Sequence, residues 1–438
     1  HTGQNEQNTD IPTSHPALIH GSTSRVLTPP IIPSERTASM LEYDLLLRGG
    51  TLIDPAAGVH APKDVAVTGG KIAAICDPGS DQRARKIVDV GGLLVVPGLI
   101  DMHVHVFPGV SHFGVDPDST CISRGVTTAV DFGTAGGLIF DGFRQLVIDR
   151  ANTRVLALLH IAGQGMISSP GTLPALGELT DLRYCNVENV VRTVERHRDC
   201  IVGIKIRLTE NLAEDGKNEA PGLQLARQAA DETGLPLVIH SPDSTLPMSH
   251  VMNNMRTGDV LTHCYHGRRC GIVDETGRVL PETKDKLDEG LLMDVGHGWG
   301  SFSWPVAQNM LDAGVIADFI SSDLHTYNLH GPVFDLLTTM DKFLLLGMSL
   351  DEVIRRTTAE PAKFLNRQHE IGTLAVGATA DITVLEIEEG QFPLKDSHGV
   401  VKNGTQRLEV RHTFRAGCPT GLLPRPTEQH LHARTATS

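Results

Sequence analysis

A chain of 438 residues has room for two or three domains, or for one barrel with a smaller unit attached. Its net charge of −14 excludes the basic face that a nucleic-acid partner requires. No apolar run approaches the roughly 20 residues of a membrane span. The seven cysteines are odd in number, scattered and free of any C-x-x-C pair, so the chain reads as a reduced cytoplasmic protein with neither a disulfide framework nor a zinc knuckle.

Residues 1–39 are polar, rich in Pro, Ser and Thr, and without periodicity or an apolar signal core. They read as an unstructured extension, with Met40 a candidate original start. From Tyr43 the pattern changes. YDLLLRGGTLIDP, KDVAVTGGKIAAI and KIVDVGGLLVVPG are short apolar runs broken by Gly-Gly pairs, which permit the positive φ of hairpin turns. They predict a small antiparallel β-unit over 41–97. It resumes over 371–419 in GTLAVGATADITVLEI and RLEVRHTFRAG, giving a β-sandwich-like domain built from both ends of the chain. Residues 420–438 read as an unstructured tail in which His430 and His432 are solvated.

Between these parts, over 98–370, strand-like runs alternate with helical stretches. The runs are LIDMHVHV, TTAVDFG, VLALLHI, IVGIKIR, LPLVIH, DVLTHC, GLLMDVGHG and ADFISSD. Several are apolar almost throughout, as parallel strands covered on both faces must be. Among the helical stretches, GLQLARQAADETG stops at Gly234, and the stretch after Ser349 opens with an S-x-x-E box to Glu352. Eight such repeats predict an α/β fold, a (β/α)₈ TIM barrel. A doubly wound sheet is the alternative, but no G-x-G-x-x-G follows a strand.

Barrel enzymes carry their chemistry at the carboxyl ends of the strands. Those ends hold His103 and His105, Asp131, His160, Lys205 and Arg207, His240, His263, His297 and Asp323. His103 and His105 are two apart on one strand and so share a face, which makes them half of a metal site or else two incidental solvent-facing histidines. The apolar flanks favour the first reading. Any single strand-end histidine is adequately explained as a hydrogen-bonded structural residue; a polar residue at every strand end is not. Lys205 is the most informative, because it lies in a strand too apolar for the surface. A buried ammonium loses its proton readily. The neutral amine can add CO₂ and become a carbamate that bridges two metals. A lysine snorkelling to water, or a Schiff-base lysine, is the competing account; the surrounding histidines favour the bridge.

This set of residues resembles the binuclear amidohydrolase superfamily: HVH on the first strand, Lys on the fourth, single His on the fifth and sixth, Asp on the eighth. The resemblance covers roughly residues 41–420. The motifs GIKIRLTE, VIHSPD, LTHCYHG, DVGHGWGSFSW and ISSDLH are most similar to its amidohydrolase/deacetylase, dihydroorotase-like branch. By position, it implies that His103, His105 and Asp323 hold the more buried of two divalent ions, that His240 and His263 hold the other, and that carboxylated Lys205 bridges them with a hydroxide. Zinc suits such ligands. Asp323 would shuttle the proton, and Arg207, His297 and Tyr265 are candidate substrate contacts. Asp131 and His160 are left as structural, and His325 as a supporting neighbour of Asp323. Pyrimidine-pathway dihydroorotases carry Arg two residues after the HxH pair. Here that position is Phe107, which leaves that activity in doubt. The resulting expectation is a hydrolase that cleaves an amide or ester of a small, anionic, acylated carboxylate, with possible self-association. A cyclic amidase of dihydroorotase or hydantoinase type is the alternative. A non-catalytic scaffold would have lost ligands, and all six positions are filled.

Overall fold

A computed structural model describes residues 42–168 and 176–424, so the expected N-terminal extension lies outside the described residues. Seven strands come first: β1 (Glu42–Arg48), β2 (Thr51–Asp54), β3 (Val59–Pro62), β4 (Asp64–Thr68), β5 (Lys71–Cys76), β6 (Arg83–Asp89) and β7 (Leu94–Pro97). Seven more follow, all parallel: β8 (Leu99–Val104), β9 (Val126–Gly136), β10 (Arg154–His160), β11 (Ile201–Arg207), β12 (Leu237–His240), β13 (Val260–Thr262) and β14 (Leu292–Asp294). Near the other end come β15 (Ile382–Lys395), β16 (Val401–Arg415) and β17 (Cys418–Pro419).

The parallel sheet runs β8 to β14 in sequence order. Every residue of β8 and β9 is buried, because connecting helices cover one face and the barrel interior the other. The helix Glu219–Thr233 ends where Gly234 turns to φ 68°, and Ser349 caps the helix Leu350–Arg356 by accepting from Glu352 N at 3.3 Å. The eighth run, ADFISSD, is not a strand. It makes single parallel bridges, Asp294 with Phe319 on one side and Val104 with Leu324 on the other, and these close the ring between β14 and β8. The reason is local. Asp323 sits at φ 49°, outside the extended region, while the Ser321 and Ser322 side chains bond to carboxylates on neighbouring strands. The neighbours nevertheless accept this irregular run as an edge: Gly298 N donates to Ser322 O at 3.0 Å and His105 N to Leu324 O at 3.0 Å.

The terminal strands form two sheets, β5-β4-β1-β6 and β17-β16-β15-β7-β2-β3, with Leu45, Val67, Val95, Ile382 and Phe414 in the apolar layer they share. The expected antiparallel pattern is corrected here. β1 pairs with β6, and β2 with β7, in parallel. Of the Gly-Gly pairs, only Gly69-Gly70 makes a two-residue hairpin, between β4 and β5. Gly49-Gly50 and Gly91-Gly92 carry the chain from one sheet to the other. Gly50 has no room for a side chain, since a Cβ would lie 2.7 Å from Val95 Cγ2.

A single residue, Gly98, joins β7 to β8 and so joins the terminal sheets to the barrel. Its N–H donates to Asp381 O at 2.8 Å. The Asp381 carboxylate in turn accepts from Arg154 Nη1 at 2.6 Å and from Arg415 Nη1 at 3.1 Å, which ties both parts together. The long β15–β16 hairpin reaches onto the barrel. At its tip Ser397 N donates to Phe302 O at 3.0 Å, and Trp304 Nε1 donates to Val400 O at 3.0 Å. The expected tail begins later than 420, because Thr420 N donates to Thr413 O at 2.9 Å and Leu423 N to Ser123 O at 3.3 Å. Its later part, with His430 and His432, lies outside the described residues. Among the described residues no helix is long and apolar enough to cross a membrane.

Gly98 provides a stability test. A Cβ there would lie 2.2 Å from Thr127 Oγ1 and 3.0 Å from Asp381 Cβ, whereas nothing lies within 4 Å of one on Gly142. Gly98→Ala is expected to destabilise the fold by about 1–3 kcal/mol, and Gly142→Ala to leave it unchanged or slightly more stable. Denaturant midpoints of the two variants check this.

Candidate metal centre

The carboxyl ends of the parallel strands bring six side chains to the floor of one cavity. His103 is on β8, His105 just beyond it, Lys205 on β11, His240 at the end of β12, His263 just past β13, and Asp323 on the closing run. His103 and His105 are 1% and 5% exposed. Their Nε2 atoms lie 3.3 and 3.2 Å from the same oxygen, Asp323 Oδ1. One ligand atom from each of the three lies within 4.8 Å of the others.

The protons on these rings can be placed. His103 Nδ1 faces Asp294 Oδ2 at 3.0 Å and Thr262 Oγ1 at 3.1 Å. It therefore donates to the carboxylate. His105 Nδ1 faces Thr134 Oγ1 at 2.8 Å, and that hydroxyl already serves Asp131. His263 Nδ1 donates to Gly296 O at 2.7 Å. Burial pushes His103 and His263 well below the usual imidazole value and His105 down to about 3, so the rings are neutral. Each then presents an Nε2 lone pair. Asp323 Oδ1 is buried and accepts no hydrogen bond. Lone pairs facing each other at 3.2–3.3 Å repel unless a cation lies among them. The residues present thus fit a divalent ion on their own geometry.

A second group adjoins this one. The His240 and His263 rings are 4.5 Å apart and nearly perpendicular, and the His263 ring is 5.0 Å from that of His103. Lys205 is 1% exposed, and its Nζ has no hydrogen-bond partner. It stands 4.4 Å from the Phe132 ring centroid, and burial lowers its pKa to about 7. Both His263 and Asp323 have positive φ, 64° and 49°. Such strain persists only where surrounding contacts impose it, and it collects at functional positions.

Those contacts come from residues that sequence reasoning did not single out. Asp294 is wholly buried at the end of β14 and accepts from His103, from Thr262 Oγ1 at 2.6 Å and from Ser321. Asp101 accepts from Ser322 N at 3.0 Å and from Ser322 Oγ at 2.5 Å. Burial pushes Asp294 up to about 6 and Asp101 to about 7. Asp294 was findable: it is the one carboxylate within the seventh apolar run, and the glycines after it mark the loop. Asp131 accepts from Val106 N at 2.9 Å and from Thr134 N at 2.8 Å, and so fixes the segment that carries His105.

The cavity measures about 1070 Å³. Arg207 lines it above Lys205, with Nη1 on Glu178 Oε1 at 2.9 Å and the guanidinium 5.5 Å from the Phe113 ring centroid. His325, Trp299 and Tyr327 line it too, and Arg268 and Arg269 stand nearer solvent, each paired with a carboxylate. Two expected substrate contacts are corrected. His297 does not line the cavity. Its ring stacks on Phe302 at 4.6 Å and its Nε2 faces Lys342 Nζ at 2.6 Å, because the glycines around it turn the chain inward. Tyr265 is wholly buried, its hydroxyl accepting from Ala317 N at 2.9 Å.

The profile of the Amidohydrolase family matches residues 303–418. A protein named deacetylase from Enterococcus faecalis is 32% identical over 380 residues, covering 86% of this chain and 99% of the relative. A crystal structure titled an adenine deaminase superposes with TM-score 0.79 at 31% identity, covering 86% of this chain and 99% of its own. One titled a dihydroorotase gives 0.76 at 27%, with the same coverage of each chain. The chain is therefore a hydrolase acting on carbon–nitrogen bonds and belongs to the amidohydrolase superfamily, in its deacetylase-like branch.

Proposed function

We propose that the protein is a binuclear zinc hydrolase that removes an acyl group from a small carboxylate, cleaving an amide or ester. In this reading His103, His105 and Asp323 hold one ion, His240 and His263 hold the second, and a carbamate on Lys205 bridges them. The observation that carries it is the buried, unpartnered Lys205 Nζ beside the equally unpartnered Asp323 Oδ1, among three neutral imidazoles with their lone pairs turned inward. Nothing in a purely structural role accounts for leaving an amine and a carboxylate oxygen unpaired together, at a cost of about 1–3 kcal/mol each.

When bound, the ions would lower the pKa of water towards neutrality and polarise the acyl carbonyl. The Asp323 carboxylate would take up the proton released as water attacks the acyl carbon and hand it to the departing nitrogen or oxygen. Arg207 anchors the substrate carboxylate with the guanidinium nitrogens that Glu178 leaves free. The half-exposed Trp299 and Tyr327 at the mouth shield the acyl bond from bulk water.

A cyclic amidase remains the second reading, supported by the structural likeness to a dihydroorotase. Against it, the position two after His105 is Phe107, buried 4.8 Å from the Phe143 ring, where no cation can meet a ring-borne carboxylate.

The purified protein is expected to hold near two equivalents of zinc, and Lys205→Ala to lose metal and activity together. Elemental analysis checks both, and a metal-free, chelator-indifferent protein would end this reading. Across a panel of N-acetyl and O-acetyl carboxylates run beside dihydroorotate and hydantoin, turnover is expected for the acyclic compounds; turnover of the rings alone would favour the second reading. Arg207→Ala should raise KM for carboxylate substrates about 10- to 100-fold, the worth of one charge-assisted hydrogen bond. It should leave kcat nearly unchanged and spare the matching neutral amides.

A further inference from the structure

We infer that His160 is the positioning residue for Lys205, its Nε2–H donating to the carboxylate that CO₂ adds to the lysine; this rests on the carbamate reading above. His160 closes β10 and is the register partner of Lys205 on β11. Register partners on adjacent parallel strands send their side chains to the same face. His160 is wholly buried. Its Nδ1 accepts from Ala162 N at 3.0 Å, so the proton of the neutral ring sits on Nε2. Burial, which drives the ring down to about 3, keeps it neutral. That Nε2–H is buried and has no partner, and the same holds for Lys205 Nζ.

Two neighbouring buried groups thus lack partners, and the pair is not within hydrogen-bond reach of itself. Room is made on their side of the barrel by Gly133. A Cβ there would lie 2.7 Å from Lys205 Cβ and Cγ and 3.7 Å from His160 Cδ2, so the lysine stem and the imidazole crowd against one spot. Adding CO₂ resolves the arrangement. Nζ gives its lone pair to the carbon, one C–O π pair moves onto oxygen, and a proton leaves the nitrogen for water. The lysine side chain is now longer by one carboxylate, whose oxygens are acceptors. One oxygen can take the His160 proton, which orients the group and stabilises its negative charge. A histidine whose Nδ1 is fixed by backbone and whose Nε2–H is free suits this task, because it can donate there but cannot rotate its proton elsewhere.

The test is metal loading of the chelator-stripped full chain with zinc, at graded bicarbonate, read as zinc equivalents and as the carbamate signal from ¹³C-bicarbonate by NMR. His160→Asn keeps an amide near the Nδ1 position and has nothing at Nε2. It is expected to need about tenfold more bicarbonate for half-maximal loading, as loss of a hydrogen bond to a charged group implies. His160→Gln carries an N–H near the Nε2 position and is expected to load close to wild type. Far-ultraviolet circular dichroism on the stripped proteins confirms that both fold. Equal bicarbonate requirements for His160→Asn and wild type would overturn the inference while leaving the carbamate in place, and would make His160 a core residue or the holder of a water. A wild-type protein that loads zinc without bicarbonate and gives no carbamate signal would instead remove the carbamate reading, and this inference with it.

Discussion

The structure is organised around an electrostatic contradiction held inside a closed barrel. Imidazole nitrogens with lone pairs turned inward surround a carboxylate oxygen that accepts nothing, and a lysine nitrogen that bonds to nothing stands beside them. In water each group would be solvated. Here burial removes that option, and ordinary side-chain rotation is blocked because the far nitrogen of each ring is already committed, to Asp294, Thr134 or Gly296. The polar centre is therefore fixed in a form that disfavours protons and favours cations.

What holds this form also closes the barrel. Asp101 on β8 binds Ser322, and Asp294 on β14 binds Ser321, so the closing run is pinned on both sides by carboxylates rather than by a regular ladder. The strained φ of Asp323 follows from being stretched between these anchors. Stability and site geometry are thus not separable at this edge. A change made to regularise the eighth segment as a strand would move Asp323 away from His103 and His105.

Much of this was legible in the sequence. The period of two in HVH, the lysine in an otherwise apolar strand and the lone histidines ending the fifth and sixth runs are local signals, and they converge because parallel strands place their ends together. The misreadings have physical causes. His297 and Tyr265 follow strands and so read as cavity residues, but glycine turns and a backbone N–H donor draw them into the core. The eighth run looks like a strand, and only tertiary bonds to its serines show that it is not. The Gly-Gly pairs signalled turns correctly but could not say whether a turn returns to its own sheet or crosses to the other. Asp294 is less conspicuous in the sequence than the histidine three residues later, which reads as a substrate contact.

The β15–β16 hairpin has a consequence for synthesis. Its tip, around Ser397 and Val400, grips Phe302 and Trp304, which follow directly on the segment Trp299–Ser301 at the cavity rim. The barrel strands precede the hairpin in the chain, and the residues that support the rim lie about a hundred positions further on. A nascent chain therefore carries the polar centre before it has the wall that encloses it.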